Sequence, residues 1–356
     1  MHTLPLGVSF LVCTFNGAAR IAETLACLAR QETPAGIPWE VVLVDNASTD
    51  NTTELARQAW ELLAAPAALH LLHEPRPGKQ YALETAIGQA QYRYTCIVDD
   101  DNRLSITYLR EGLTILEKNP KVGILGGPST ATFEGPEPVW FAEFQHCYAV
   151  GPQLDRVGGA FKPLAEGNIG RNVLWGAGMF VRMAVWEQLH EAGFQSLFSG
   201  RQGDGNLTAG EDDELCYAAQ LLGYEVWYSS RLHLQHHIAA GRLTEAYRDR
   251  LFYASARTST RLNAYRNALW GKPGGSVALN LLKDVAYSTL GLTKEAVSPS
   301  LLRALVAANT IVPMKLGHTF ASLKETVLNF ERVKSYYKHV LQLKSEIASH
   351  KLNHRQ

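Results

Sequence analysis

Between Val8 and Asp101 four short runs of apolar and β-branched residues alternate with stretches of helical periodicity, and every run ends in a polar cluster. Val8–Cys13 leads into Thr14-Phe15-Asn16-Gly17 and a helix through about Arg30. Val41–Val44 leads into Asp45-Asn46-Ala47-Ser48-Thr49-Asp50 and a helix through about Leu63. Leu69–Leu72 passes Pro75, Pro77 and Gly78 into a helix from about Gln80 to Ala90, and Tyr94–Val98 ends at Asp99-Asp100-Asp101-Asn102. This βαβαβαβ order predicts an α/β fold with a mostly parallel central sheet flanked by helices. Ligands of such sheets bind beyond the carboxyl ends of the strands, so Thr14, Asn16, Asp45, Asn46 and Asp99 to Asn102 are expected to share one crevice. Independent helix caps would account for Asn16 or Ser48 but strain to cover three consecutive carboxylates.

Three adjacent carboxylates repel and raise one another's pKa, so such a run calls for a cation. Oxygen-only donors favour a hard ion, Mg²⁺ or Mn²⁺. The plainer alternative is a solvated acidic turn capping the following helix.

A chain of 356 residues that is 46% hydrophobic can fill one large or two modest domains. Lys plus Arg and Asp plus Glu both number 34, so no global field favours nucleic acid or an anionic membrane. Five cysteines without CxxC spacing form neither a zinc pattern nor a disulfide framework and suit a reducing compartment. The N-terminus has no basic segment followed by an apolar core, and Ala304–Met314 is too short to span a bilayer. The expected location is cytoplasmic, with peripheral contact at the inner face of the membrane as an option.

No GxGxxG follows the first run and no GxxxxGK[ST] occurs, which disfavours a dinucleotide fold and excludes an ordinary P-loop. A nucleotide diphosphate held through a metal remains. Residues 151–172 read as a functional loop, and Trp175–Val181 as a glycine-flanked strand followed by a helix over about 183–192. Gly176 and Gly178 imply close backbone approach, to a ligand or to a neighbouring strand. Thr208-Ala209-Gly210 precedes Glu211-Asp212-Asp213-Glu214, more acid than a helix dipole needs, as where a carboxylate is kept as a base. His233, His236 and His237 follow the strand Tyr224–Tyr228 as candidate metal ligands or structural groups. From about Leu243 the chain is helical, broken by Gly271–Gly275 and Ser298-Pro299. Residues 329–351 are read as an amphipathic helix for packing or self-association, with membrane-surface contact as the weaker option.

In this order, Cys13-Thr14-Phe15-Asn16, Val44–Asp50, Gly78-Lys79 with Ala82-Leu83, Asp99–Asn102, Trp175–Gly178 and Gly210-Glu211-Asp212 resemble the inverting family 2 glycosyltransferases of the GT-A fold. The resemblance runs from Val8 to about Arg250. It implies a GT-A domain over residues 1–245, with 1–102 binding the nucleotide and 103–245 the acceptor, and a helical region over 246–356. It implies that Asp45 recognises the base, that Thr14 and Asn16 line its pocket, and that Lys79 lies near base or diphosphate. Asp99 and Asp101 match the outer positions of the family's DxD motif. Asp101 would be the direct metal ligand, and Asp99 or Asp100 would face the nucleoside. His236-His237-Ile238, with Arg242-Leu243-Thr244 after it, aligns His236 with a metal or diphosphate ligand.

The family's chemistry would have a Mn²⁺ or Mg²⁺ ion stabilise the departing diphosphate of a donor such as a UDP-sugar, while a carboxylate deprotonates an acceptor hydroxyl on a glycan or lipid-linked sugar. Asp212 matches the base position, Glu211 and Asp213 would support it or bind acceptor, and Trp175 with Gly176 would contact the acceptor sugar. Two other readings stay open: a sugar-nucleotide nucleotidyltransferase, which should carry a basic glycine-rich loop after the first strand, and a non-catalytic nucleotide-sugar-binding protein.

Overall fold

The computed structural model describes residues 4–155, 157, 162–198, 210–272, 276–298 and 311–353. Gly158, Gly159, Thr208, Ala209, Pro273 to Gly275, Pro299 and the stretch 304–310, named above from the sequence, lie outside them. One compact unit runs through Glu191 and resumes over Glu211–Thr244; a second consists of Ala192–Phe198 and the helices from Glu245 onward.

The first unit opens with the expected alternation: β1 (Val8–Thr14), α1 (Ile21–Ala29), β2 (Trp39–Asp45), α2 (Thr52–Leu62), β3 (Ala68–His73), α3 (Lys79–Gln89) and β4 (Tyr94–Asp99). These strands pair in parallel in the order β3-β2-β1-β4. The register sets Thr14 opposite Asp45 and Cys13 opposite Asp99, so three polar strand ends finish level with one another.

Both faces of this sheet are covered, which is why its strands read as nearly unbroken apolar runs. Val8, Phe10, Val12, Val41, Leu43, Tyr94, Cys96 and Val98 point into one core with α1, α2 and α4 (Tyr108–Lys118), while Leu11, Val42 and Val44 pack on Ala82 and Ala86 of α3. Edge-to-face contacts run from Phe10 to Trp39 (5.8 Å) and from Trp39 to Trp60 (6.1 Å), each adding about 0.5–1.5 kcal/mol beyond burial. Two buried polar residues inside these strands satisfy each other: Ser9 Oγ donates to Glu40 Oε1 at 2.6 Å.

Of the elements that follow, the helix expected over about 183–192, the helix opened by Glu211 and the strand near Tyr224–Tyr228 form close to their expected places, and the others, apart from a shortened strand at Val181, carry no signal in the sequence. After β5 (Asn102–Leu104), α4, β6 (Val122–Gly126), β7 (Ser129–Phe133) and α5 (Phe141–Phe144) come the two-residue strands β8 (Leu154–Asp155), β9 (Lys162–Pro163) and β10 (Gly167–Asn168). Then follow β11 (Phe180–Arg182), α6 (Met183–Glu191), α7 (Glu211–Leu221), β12 (Glu225–Tyr228) and β13 (Leu234–Ile238). The full sheet is β10-β12-β6-β11-β4-β1-β2-β3, with β11 antiparallel between β4 and β6, and β5-β13-β7 forms a smaller sheet beside it.

The strand expected over Trp175–Val181 is shorter than its pattern suggests. Only Phe180–Arg182 is strand, because Gly178 sits at φ +69° and its carbonyl accepts the Tyr108 hydroxyl at 2.8 Å. A Cβ there would lie 2.3 Å from that hydroxyl. The second unit is helical: α8 (Glu245–Trp270), α9 (Val277–Ala296), α10 (Ile311–Leu328) and α11 (Phe330–Asn353). Among the described residues no helix is long and apolar enough to cross a membrane.

Candidate active site

The ends of β1 and β2 are stitched into a continuous polar rim. Asn16 adopts φ +48°, a left-handed conformation that asparagine tolerates better than most residues. There its amide oxygen accepts Thr49 N–H at 2.8 Å and its own N–H donates to Ser48 Oγ at 2.9 Å. Asp45 accepts Ser48 N–H at 3.0 Å on one oxygen and the Thr53 hydroxyl at 2.6 Å on the other. Asn46 holds the loop after β3, donating to the Glu74 and Arg76 carbonyls and accepting Gly78 N–H at 2.7 Å. A carboxylate has about four lone-pair positions, so Asp45 keeps capacity for a ligand donor after making both bonds.

The Asp triplet divides three ways. Asp99 pairs with the Lys79 ammonium at the start of α3. Burial works against the Lys79 charge, but Asp99 and Asp212 outweigh it and push its pKa above the ordinary lysine value. Asp100 turns inward, where Thr14 Oγ1 donates to it at 2.6 Å and Arg20 grips both oxygens at 3.2 and 3.0 Å. Burial nonetheless pushes the Asp100 carboxyl above its usual range, against the pull of Arg20. Asp101 faces β13: its Oδ2 lies 3.4 Å from His236 Nε2 and accepts Arg242 at 3.1 Å. Although burial opposes it, His236 and then Arg242 hold the Asp101 carboxyl well below the normal carboxylate range.

Strand alternation selects among the histidines. His236 is buried toward Asp101, whereas the His237 ring lies near Thr132 Oγ1 (3.4 Å) and His233 near Thr130 Oγ1 (3.3 Å). Of the three, His236 alone adjoins the Asp run through its ring, while His237 contributes its backbone N–H to the Asp101 carbonyl at 2.8 Å.

Asp212 enters from the first turn of α7, and Gly176 N–H donates to its Oδ2 at 2.8 Å. A Cβ on Gly176 would stand 2.2 Å from Asp212 Oδ1, so the glycine is required by the carboxylate packed on it. Glu211 and Asp213 flank Asp212 in the same turn, half-buried, and Trp175 is half-buried with its backbone N–H donating to Gln153 Oε1 at 3.0 Å.

For a divalent ion the fit is partial but chemically sound. Among the described residues no set of three His, Cys, Asp or Glu side chains could hold a metal. The Asp101 and His236 donors are 3.4 Å apart, suitable for two neighbouring ligands of one ion. Mg²⁺-type sites commonly take one or two protein groups and complete their shell with waters and substrate phosphates.

Two arginines join the site without a motif that assigns them a role. Arg20 carries no motif signal beyond preceding a helix. Arg242 opens the Arg-Leu-Thr segment, and its spacing after His236 is the signal that marks it.

Residues 9–165 match the model of the family "Glycosyl transferase family 2", and residues 94–277 match "Glycosyl transferase family group 2". The chain is 28% identical over 126 residues to the poly-beta-1,6-N-acetyl-D-glucosamine synthase of Staphylococcus epidermidis, covering 35% of this chain and 29% of that protein. It is 28% identical over 122 residues to the chondroitin synthase of Escherichia coli, covering 34% and 17%. Each match thus spans less than a third of the relative's length. The solved mannosyltransferase of Pyrobaculum calidifontis, in complex with GDP-Man and Mn²⁺, superposes with a TM-score of 0.56 at 18% identity, covering 92% of this chain and 90% of that one. That likeness extends to the fold, a GT-A type mostly parallel sheet flanked by helices.

Proposed function

The chain belongs to the glycosyl transferase family 2 group, and from that premise we propose that it transfers a sugar from a nucleotide-diphosphate sugar, a UDP-sugar first among candidates, to an acceptor hydroxyl with inversion at the anomeric carbon. The acceptor class is a glycan or lipid-linked sugar, in line with the polysaccharide-making relatives. The observation that carries this reading is the pair of aimed carboxylates, Asp99 held by Lys79 at the end of β4 and Asp212 held by the Gly176 N–H at the start of α7.

The rim of Asn16, Asp45 and Thr49 offers acceptors and donors for a base and ribose. Lys79 and Arg242 bring positive charge to the diphosphate side, with Asp99 orienting Lys79. Asp100, gripped by Arg20 and Thr14, keeps the turn rigid rather than touching the donor.

The reaction needs one base. The acceptor oxygen attacks the anomeric carbon from the face opposite the leaving group, its proton passes to Asp212, and the bond to the diphosphate breaks with the electron pair leaving on the nucleotide. Gly176 N–H fixes one Asp212 oxygen, leaving the other for the acceptor. Mn²⁺ or Mg²⁺ bound by Asp101 and His236 would supply neutralisation of the charge that builds on the departing diphosphate.

A thermal-shift panel of UDP-glucose, UDP-N-acetylglucosamine and GDP-mannose, run with Mn²⁺ and with EDTA, tests the reading. At least one donor should raise the melting temperature, more so with Mn²⁺. No shift from any nucleotide sugar in either condition would overturn it.

A further inference from the structure

The formal charge of zero conceals a division within the chain. Residues 1–244 hold 17 Lys and Arg against 27 Asp and Glu, whereas residues 245–356 hold 17 against 7. The helical unit therefore carries a net charge of +10 and the catalytic unit −10. Such asymmetry suits an anionic partner for the basic part.

The same unit exposes apolar surface in an ordered arrangement. On α9, Leu279, Leu282, Tyr287 and Leu290 are each more than half exposed, at 52%, 59%, 74% and 64%. Their spacing puts them on one face of the helix, with exposed Lys283 and Lys294 between and beside them. The opposite face is the packed one, where Leu281 is fully buried and Asp284 is tied to Tyr337 by a 2.6 Å hydrogen bond. No acidic side chain is exposed on α9 among the described side chains. On α10, Phe320, Val327 and Leu328 likewise share an exposed face with Lys324.

We propose that the exposed faces of α9 and α10 dock on an anionic lipid bilayer, leucine and aromatic side chains entering the headgroup boundary and lysines meeting lipid phosphates. Scattered surface leucines need no explanation, but an apolar stripe edged by lysine, with no exposed acid among the described side chains of α9, matches an interfacial helix. Each lysine near an anionic surface adds to the attraction, and the net +10 extends it over the unit. A nucleic acid would use the charge but not the leucines. A second copy of the chain pairing through this same face would set like charge against like. The proposal is independent of the transfer chemistry.

Co-sedimentation of the full chain with vesicles decides it. Vesicles of phosphatidylcholine with about a third phosphatidylglycerol should pellet the protein, less so as salt rises, while pure phosphatidylcholine should leave it in solution. Lys283→Glu with Lys294→Glu should weaken binding by about tenfold or more. Leu282→Ser with Leu290→Ser should weaken it comparably, with melting temperature and donor-induced thermal shift unchanged in both variants. Protein remaining in the supernatant with both vesicle types would overturn the proposal. So would sedimentation velocity revealing a dimer that these same substitutions dissociate.

Discussion

Asp212 accepts the backbone N–H of Gly176 at 2.8 Å, and the space its carboxylate fills is the space a side chain at position 176 would need. The two residues come from separate parts of the chain, one from the turn before β11 and one from the first turn of α7. Their contact explains why a glycine precedes the short strand and how one acid among four is aimed.

Gly176→Ala should therefore displace Asp212 rather than unfold the sheet. The expected cost in stability is about 1–3 kcal/mol, the usual range for forcing a methyl into filled space. Sugar transfer should fall at least about tenfold with donor affinity retained, since a shift near 1 Å at a catalytic group has that scale. Steady-state rates alongside calorimetry of donor binding check it; wild-type turnover would remove Gly176 from the account.

Arg20→Ala leaves the buried Asp100 carboxylate with Thr14 as its remaining side-chain partner. Breaking a buried pair from one side costs about 3–5 kcal/mol, readable in chemical denaturation. Arg20→Lys should recover only part of the loss, because lysine cannot reproduce the two-pronged grip on both oxygens.

Arg242 donates to the Asp101 oxygen that a metal ion would take in the proposed site. In donor-free protein, Arg242→Ala should bind Mn²⁺ more tightly, by about tenfold, the scale of one charge-assisted hydrogen bond. Calorimetric titration with Mn²⁺ gives the answer, and weaker metal binding in the variant would show that Arg242 supports the ion instead.

Glu74 predicts a pH dependence. Arg76 binds both its oxygens at 2.8 and 2.9 Å, the Thr85 hydroxyl donates at 2.8 Å, and these bonds hold its pKa at about 2 against an ordinary 4.5. A depressed carboxylate pKa contributes stability that is complete above the unfolded value and disappears as pH falls through the folded one. The stability gap between wild type and Glu74→Gln should hold above pH 4.5 and close between pH 4.5 and about 2. Denaturant midpoints across that window would detect it.

The first four strands and the polar residues gathered at their ends are legible because buried parallel strands leave unbroken apolar runs, and the polar residues ending them have no core role. The second half is less so. Phe180–Arg182 is too short to carry a period, and the turn over Trp175–Met179 depends on Tyr108 and Asp212, both distant in sequence. The Asp triplet announced a charged site but not its division, since only the fold sets Arg20 against Asp100 and His236 against Asp101. Choosing among three histidines required the strand register.

The central claim is that Asp212 removes the acceptor proton in a crevice that binds the donor without it. The direct test is Asp212→Asn, measured for transfer with the donor selected by thermal shift and for donor affinity by calorimetry. The account predicts that transfer falls by about a thousandfold or more while donor affinity stays within about twofold of wild type. Transfer at the wild-type rate by Asp212→Asn would contradict it.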